Sequence, residues 1–305
     1  MQHLLDKPLV DRAEQGKVKL SQAFQKLAPP VIIIGMHRSG TSMVAGMLHA
    51  MGAFVDPMLE SVVPGEALPS DTARTAGYGE AVAFRLVNEA IMGRTGANWC
   101  QVEPFLARRD HPRFAGVCVR QLGQATHEIL LREYLQKSRD SRPAIWGWKD
   151  PRNSLTLPYW LQLFPNARLL HVRRNPEDII RSLVRREAAN RSKAAVSPPP
   201  TARDRIVRVA GNPGAVVRSI GRRLGISPSA STVPETQDQW MNLVNTYTGE
   251  CESWVHHPGG YLEVSYEEIV RDPINNAGRI ADFIAPNIAL NAVLKAASFV
   301  SVSRN

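Results

Sequence analysis

The chain has 305 residues, 44% hydrophobic and 21% charged. That balance excludes global disorder and suffices for one large α/β domain or two small ones. The net charge is +9, and no run of the sequence reaches the roughly 18 consecutive apolar residues of a membrane-spanning helix. Cys100, Cys118 and Cys251 lie far apart without a C-x-x-C pair. This spacing argues against a zinc site and for a reducing compartment, with each thiol a small buried apolar group.

Residues 1–26 are polar and charged and lack the apolar centre of a signal peptide. Leu9, Leu20, Phe24 and Leu27 among the charges predict an amphipathic helix that Pro29 and Pro30 end. Residues 1–28 therefore read as an N-terminal helical extension and residues 29–305 as a single domain, soluble and cytoplasmic.

Val31, Ile32, Ile33 and Ile34 predict a buried strand. Gly35 and Gly40 then bracket a tight turn, and Val44, Leu48 and Met51 continue at helical spacing. Strand, glycine loop and helix in that order form a cradle for phosphate, because loop N–H groups and a helix N-terminus favour an anion there. The nucleoside-triphosphate version of such a loop reads G-x-x-x-x-G-K-[ST]. Gly35, Gly40 and Ser42 keep that spacing, but Thr41 stands where the lysine belongs, and the positive charge has moved to Arg38. Without the lysine that reaches the β- and γ-phosphates, ATP chemistry is disfavoured. A forked guanidinium still suits a pair of phosphate or sulfate oxygens.

Residues 53–77 form an irregular stretch too long for a plain connection. Helices are predicted over about residues 78–92 and 117–136, a short strand over 144–148, and a helix over 154–164 despite Pro158. The strand 168–172 leads to Asn175-Pro176-Glu177, which caps a helix through Arg186. A basic insertion follows at about 190–233. Residues 191–230 carry eight basic residues against the single acid Asp204, giving seven of the nine net charges. Its proline and glycine clusters predict loops or short helices. It reads either as a solvated surface or as a flap attracting an anionic substrate. A nucleic-acid role is not expected, since no aromatic residue lies there to stack on a base. A helix over 235–255, a strand over 261–265 and a helix over 274–284 complete the pattern. Strands alternating with helices predict a parallel sheet, with ligands beyond the carboxyl ends of the strands. The glycine loop, Lys149–Arg152 and Arg173–Arg174 should then share one cleft.

Arg38-Ser39-Gly40-Thr41-Ser42 resembles the 5′-phosphosulfate loop of sulfotransferases, in which a basic residue precedes Ser-Gly-Thr-[Ser/Thr]. Arg174 to Ser182 resembles the family's 3′-phosphate segment, an Arg at a strand end with a Ser eight residues on. Val264 to Pro273 is similar to a segment that follows the last sheet strand in many bacterial members, where Tyr266 and Glu267 read as packing residues. The resemblance spans about residues 31–284. It implies a three-layer α/β fold with a central parallel sheet of P-loop NTPase-like topology and helices on both faces. The donor it implies is 3′-phosphoadenosine 5′-phosphosulfate (PAPS), held by His37, Arg38, Ser39, Gly40, Thr41, Ser42, Arg174 and Ser182. The product is adenosine 3′,5′-bisphosphate (PAP), and no metal is required.

By the same resemblance, Lys149, helped by Arg38 and Ser42, stabilises the leaving phosphate oxygen. Asp150-Pro151 replaces the Thr-His that supplies the base in cytosolic members. Gly77-Tyr78-Gly79-Glu80 resembles another branch's motif, making Glu80 the first candidate base, with Asp150 and His37 behind it. Arg152 reads as a positioning residue or a partner of Asp150. Trp146, Trp148 and Trp160 read as core, and Trp99 as a candidate border of the acceptor pocket. The acceptor is a hydroxyl or amine of a carbohydrate or small metabolite, and its identity and the oligomeric state stay open. Two other readings remain: a divergent small-molecule kinase, and a non-catalytic anion-binding module.

Overall fold

The computed structural model describes residues 28–55, 82–129, 145–196 and 233–302. The expected N-terminal helical extension before residue 28, most of the expected irregular stretch, Glu80 and residues 197–232 of the expected insertion lie outside the described residues. Four strands form one all-parallel sheet in the order β2-β1-β3-β4: β1 (Val31–Ile34), β2 (Gly147–Lys149), β3 (Arg168–Arg173) and β4 (Tyr261–Ser265).

The apolar run of β1 is continuous because the strand is central and buried on both faces. Side chains alternate across a strand, so Ile32 and Ile34 enter one core and Val31 and Ile33 the other. The first core is covered by α2 (Val82–Gly93), α3 (Glu103–Arg109), α4 (Pro112–Ile129), α5 (Asn153–Leu163), α6 (Pro176–Val196) and α7 (Gln237–Glu252). The second packs α1 (Thr41–Ala50), α8 (Tyr266–Arg271), α9 (Pro273–Ile284) and α10 (Leu290–Val302) against the opposite face. This is the expected α/β arrangement, with helices on both sides of a parallel sheet.

Trp146, Trp148 and Trp160 are at most 3% exposed, and Phe84 stacks on Trp148 at 4.4 Å. They are core residues, as their apolar surroundings predict. The three cysteines are free and buried.

Helix α6 runs ten residues past the expected end at Arg186. Good helix formers, among them Ala188, Ala189, Ala194 and Ala195, continue to Pro198 without a breaker. The first residues of the expected insertion are thus helical. Helix α7 starts on a capping box in which Thr236 and Gln239 satisfy each other's backbone N–H groups.

Candidate active site

Strands β1, β2 and β3 end side by side, so the glycine loop, Lys149–Arg152 and Arg173–Arg174 emerge at one edge. The register sets Lys149 beside Ile33 and His171 beside Ile34.

The loop after β1 reverses through positive φ at Gly35 (141°), Arg38 (68°) and Gly40 (100°). A Cβ on Gly35 would meet the Val172 carbonyl of β3 at 2.6 Å, and one on Gly40 would meet the Tyr266 ring at 2.5 Å. Only glycine fits either place. Arg38 is the single non-glycine residue with positive φ among the described residues. Such strain needs a surround that fixes it. Here Arg38 Nε donates to Ser182 Oγ at 2.9 Å, and Arg174 Nη1 donates to the Arg38 carbonyl at 3.1 Å. Gly35 N–H donates to Ser154 Oγ at 3.0 Å, and the Ser39 N–H to the Met36 carbonyl at 3.1 Å. Gly40 then caps α1 through its backbone, with no acidic side chain in the first turn. The positive end of the helix dipole faces the loop without a competing carboxylate.

Arg38 therefore touches Ser182 through its side chain and Arg174 through its carbonyl, although residues 38 and 182 are 144 positions apart. Ser39 and Thr41 are buried beneath the loop, while Ser42 is partly exposed. Lys149 is only 1% exposed. His37 is 7% exposed and packs edge-on against Trp99 at 4.9 Å and Tyr247 at 6.0 Å. Burial first, then the charges of Arg152, Arg186, Lys149 and Arg38, hold this imidazole well below its ordinary value. His37 is neutral inside a cationic neighbourhood that favours an anion.

Asp150 is fully buried, accepting from Asn88 Nδ2 at 2.8 Å, Arg152 N at 3.1 Å and Arg152 Nη1 at 3.0 Å. Both of its oxygens are engaged in this network. Arg152 pairs with Asp150 and also reaches Glu89 at 3.0 Å. Trp99 sits beside His37, with the Arg186 guanidinium 4.5 Å above its ring.

Sequence reasoning missed three participants. Ser154 lies two residues after Arg152, and no motif marks its bond to Gly35. Arg186 is one turn after Ser182 on α6, and that spacing is the signal for a shared face. Tyr266, read as packing, carries Arg174 on its ring face at 4.3 Å.

Three buried polar atoms around the loop lack a hydrogen-bond partner among the described residues: His37 Nε2, Ser39 Oγ and Arg174 Nε. Buried polar groups are normally paired. Two donors and an imidazole around a loop of this curvature fit an anion with several oxygens. Among the described residues, no group of three or more His, Cys, Asp and Glu is placed to hold a metal ion, and no helix is long and apolar enough to cross a membrane.

The sequence model described as "Sulfotransferase family" matches residues 29–209. No curated protein matches the chain.

Proposed function

The chain belongs to the sulfotransferase family, and from that premise we propose that it moves a sulfuryl group from PAPS to a hydroxyl or amine of a carbohydrate or small metabolite. The observation that carries this reading is the joined cluster of Arg38, Ser182 and Arg174. The Arg38 guanidinium bonds the Ser182 hydroxyl there, and the Arg174 guanidinium bonds the Arg38 backbone carbonyl of a phosphate-type loop. A nucleotide with phosphate at both 5′ and 3′ needs that pairing, and one with a 5′ chain alone does not.

The division of labour follows from position. The 35–42 loop, with His37, Arg38, Ser39, Gly40, Thr41 and Ser42, takes the 5′-phosphosulfate. Arg174 and Ser182 take the 3′-phosphate. An acceptor oxygen attacks sulfur in line, the bond from sulfur to the 5′-phosphate oxygen breaks, and the acceptor proton passes to a base. Negative charge grows on the leaving phosphate oxygen. Lys149 below the loop and Arg38 within it are the cations assigned to that charge. Glu80 is assigned as the base by the resemblance of Gly77-Tyr78-Gly79-Glu80 alone. The Glu80→Gln change should lower PAPS turnover by about 10²–10⁴-fold with PAP binding retained. Unchanged turnover would remove Glu80 from that role.

The kinase alternative needs a lysine at position 41, which is Thr. A single assay separates the readings: PAP formation from PAPS against ADP formation from ATP–Mg²⁺, each with a panel of sugar and phenol acceptors. PAP formation supports sulfotransfer. ADP formation supports the kinase, and neither product supports the binding module.

A further inference from the structure

Tyr266 lies outside the segment that the family model matches. It follows the edge strand β4, and Arg173 pairs with Ser265 in the β3–β4 register. That pairing brings the β4–α8 junction against the end of β3. Three contacts converge at the junction. The Tyr266 ring supports the Arg174 guanidinium, whose central carbon is 4.3 Å from the ring centroid. The same ring fills the space beside Gly40, where a Cβ would come within 2.5 Å of it. Its neighbour Glu267 accepts from the Asn175 N–H at 2.9 Å and from Ser265 Oγ at 2.8 Å.

Arg174 thus has three restraints. Its plane rests on the Tyr266 ring, its Nη1 donates to the Arg38 carbonyl, and the next residue is tied down by Glu267. Burial raises the Glu267 carboxyl. The N–H groups of Asn175 and Glu267, the Ser265 hydroxyl and the Arg174 charge outweigh burial and hold it below its ordinary value. Glu267 therefore stays ionised as a clamp at neutral pH. The Arg174 Nε is left buried without a partner among the described residues. A long, flexible side chain is in this way fixed before any ligand arrives, and preorganised donors lose less on binding.

We propose that Tyr266 is a positioning residue for recognition of the 3′-phosphate: its ring face holds Arg174 in the orientation that distinguishes a 3′-phosphorylated nucleotide from one that lacks that phosphate. The proposal rests on the assignment of Arg174 to the 3′-phosphate. Tyr266 also touches Gly40, so its loss weakens the loop as well. The diagnostic quantity is accordingly the ratio of affinities for PAP and 5′-AMP, which share the 5′-phosphate and the adenosine.

The experiment is calorimetric titration of the full chain with each nucleotide. In Tyr266→Leu the PAP-to-AMP preference should shrink by about three- to thirtyfold, the range of a cation–π contact. Tyr266→Phe keeps the ring face and should keep the preference. A second series replaces Tyr266 by phenylalanine carrying one, two or three ring fluorines, which drains the π face without changing its shape. The preference should fall stepwise, with the melting temperature as the check on folding. An undiminished preference across the fluorinated series, or equal losses of PAP and AMP affinity in Tyr266→Leu, would overturn the proposal. A wild-type chain that does not prefer PAP would instead overturn the 3′-phosphate reading on which it rests.

Discussion

The Arg174 side chain holds the Arg38 carbonyl before any ligand arrives, and the crowding of cations around Arg38 has a cost. Desolvation and the charges of Arg186, Arg174 and Arg185 all act against the Arg38 cation. A cluster of like charges around a strained loop residue is hard to explain by stability and natural to explain by anion binding. Replacing Arg174 by Ala should weaken PAP about ten- to a hundredfold, from a charge-assisted bond of roughly 1.5–3 kcal/mol, and weaken 5′-AMP less, through the lost bond to the Arg38 carbonyl alone. Calorimetry with both nucleotides checks this. A second residue reports on the sheet. His171 is buried in β3, with Nδ1 2.6 Å from the Tyr261 hydroxyl and 3.3 Å from Glu263. Burial pushes it down to about 4, aided by Arg173 and opposed by Glu263. The unfolded chain binds this proton near the ordinary value of about 6.5, so between those limits unfolding takes up protons. The stabilisation is complete above about pH 6.5 and is lost as pH falls toward 4, by up to roughly 3 kcal/mol. Urea unfolding across that range should show the slope, and His171→Phe should flatten it.

The loop and the helices behind it depend on a few exacting contacts. Gly35→Ala would place a methyl group against the Val172 carbonyl at a φ of 141°. It should destabilise by about 2 kcal/mol or more and remove nucleotide binding. Asn88 fastens α2 to α5, donating to Asp150 and Asn153 and accepting from Thr156 and Trp160, all within 3.0 Å. Asn88→Ala should cost about 3 kcal/mol by leaving these groups unpaired, read as a drop in the unfolding midpoint. Element identity was largely legible from the sequence. The hydrophobic run Val31–Ile34 is β1, and β4 keeps the predicted bounds 261–265. Boundaries were less legible. Helix α6 outruns its expected end because nothing between Arg186 and Val196 breaks a helix, while basic charge alone had marked that region as an insertion. Short helices α3 and α8 carry too few residues for a periodic signal.

Across the whole molecule, the parallel sheet converts three distant segments into one site. That the glycine loop and the Arg174 segment share an edge was legible because each follows a strand, and parallel strands deliver their carboxyl ends to one edge. The supporting shell was not. Ser154 and Tyr266 reach the loop from α5 and α8, and no local pattern encodes those meetings; Arg186, on α6, is marked only by its one-turn spacing from Ser182. The β4–α8 junction that supplies Tyr266 lies beyond the matched residues 29–209, so the candidate site draws on the C-terminal part of the chain. Nucleotide binding should therefore stabilise the sheet as a unit. PAP at a hundred times its Kd should add about 2.7 kcal/mol, seen as a higher Tm. The most direct test of the account is calorimetric titration of the full chain with PAP, 5′-AMP and ATP–Mg²⁺. The account predicts that PAP binds at least about tenfold more tightly than either competitor, through the 3′-phosphate contacts. Equal affinity for PAP and AMP, or a preference for ATP–Mg²⁺, would contradict it.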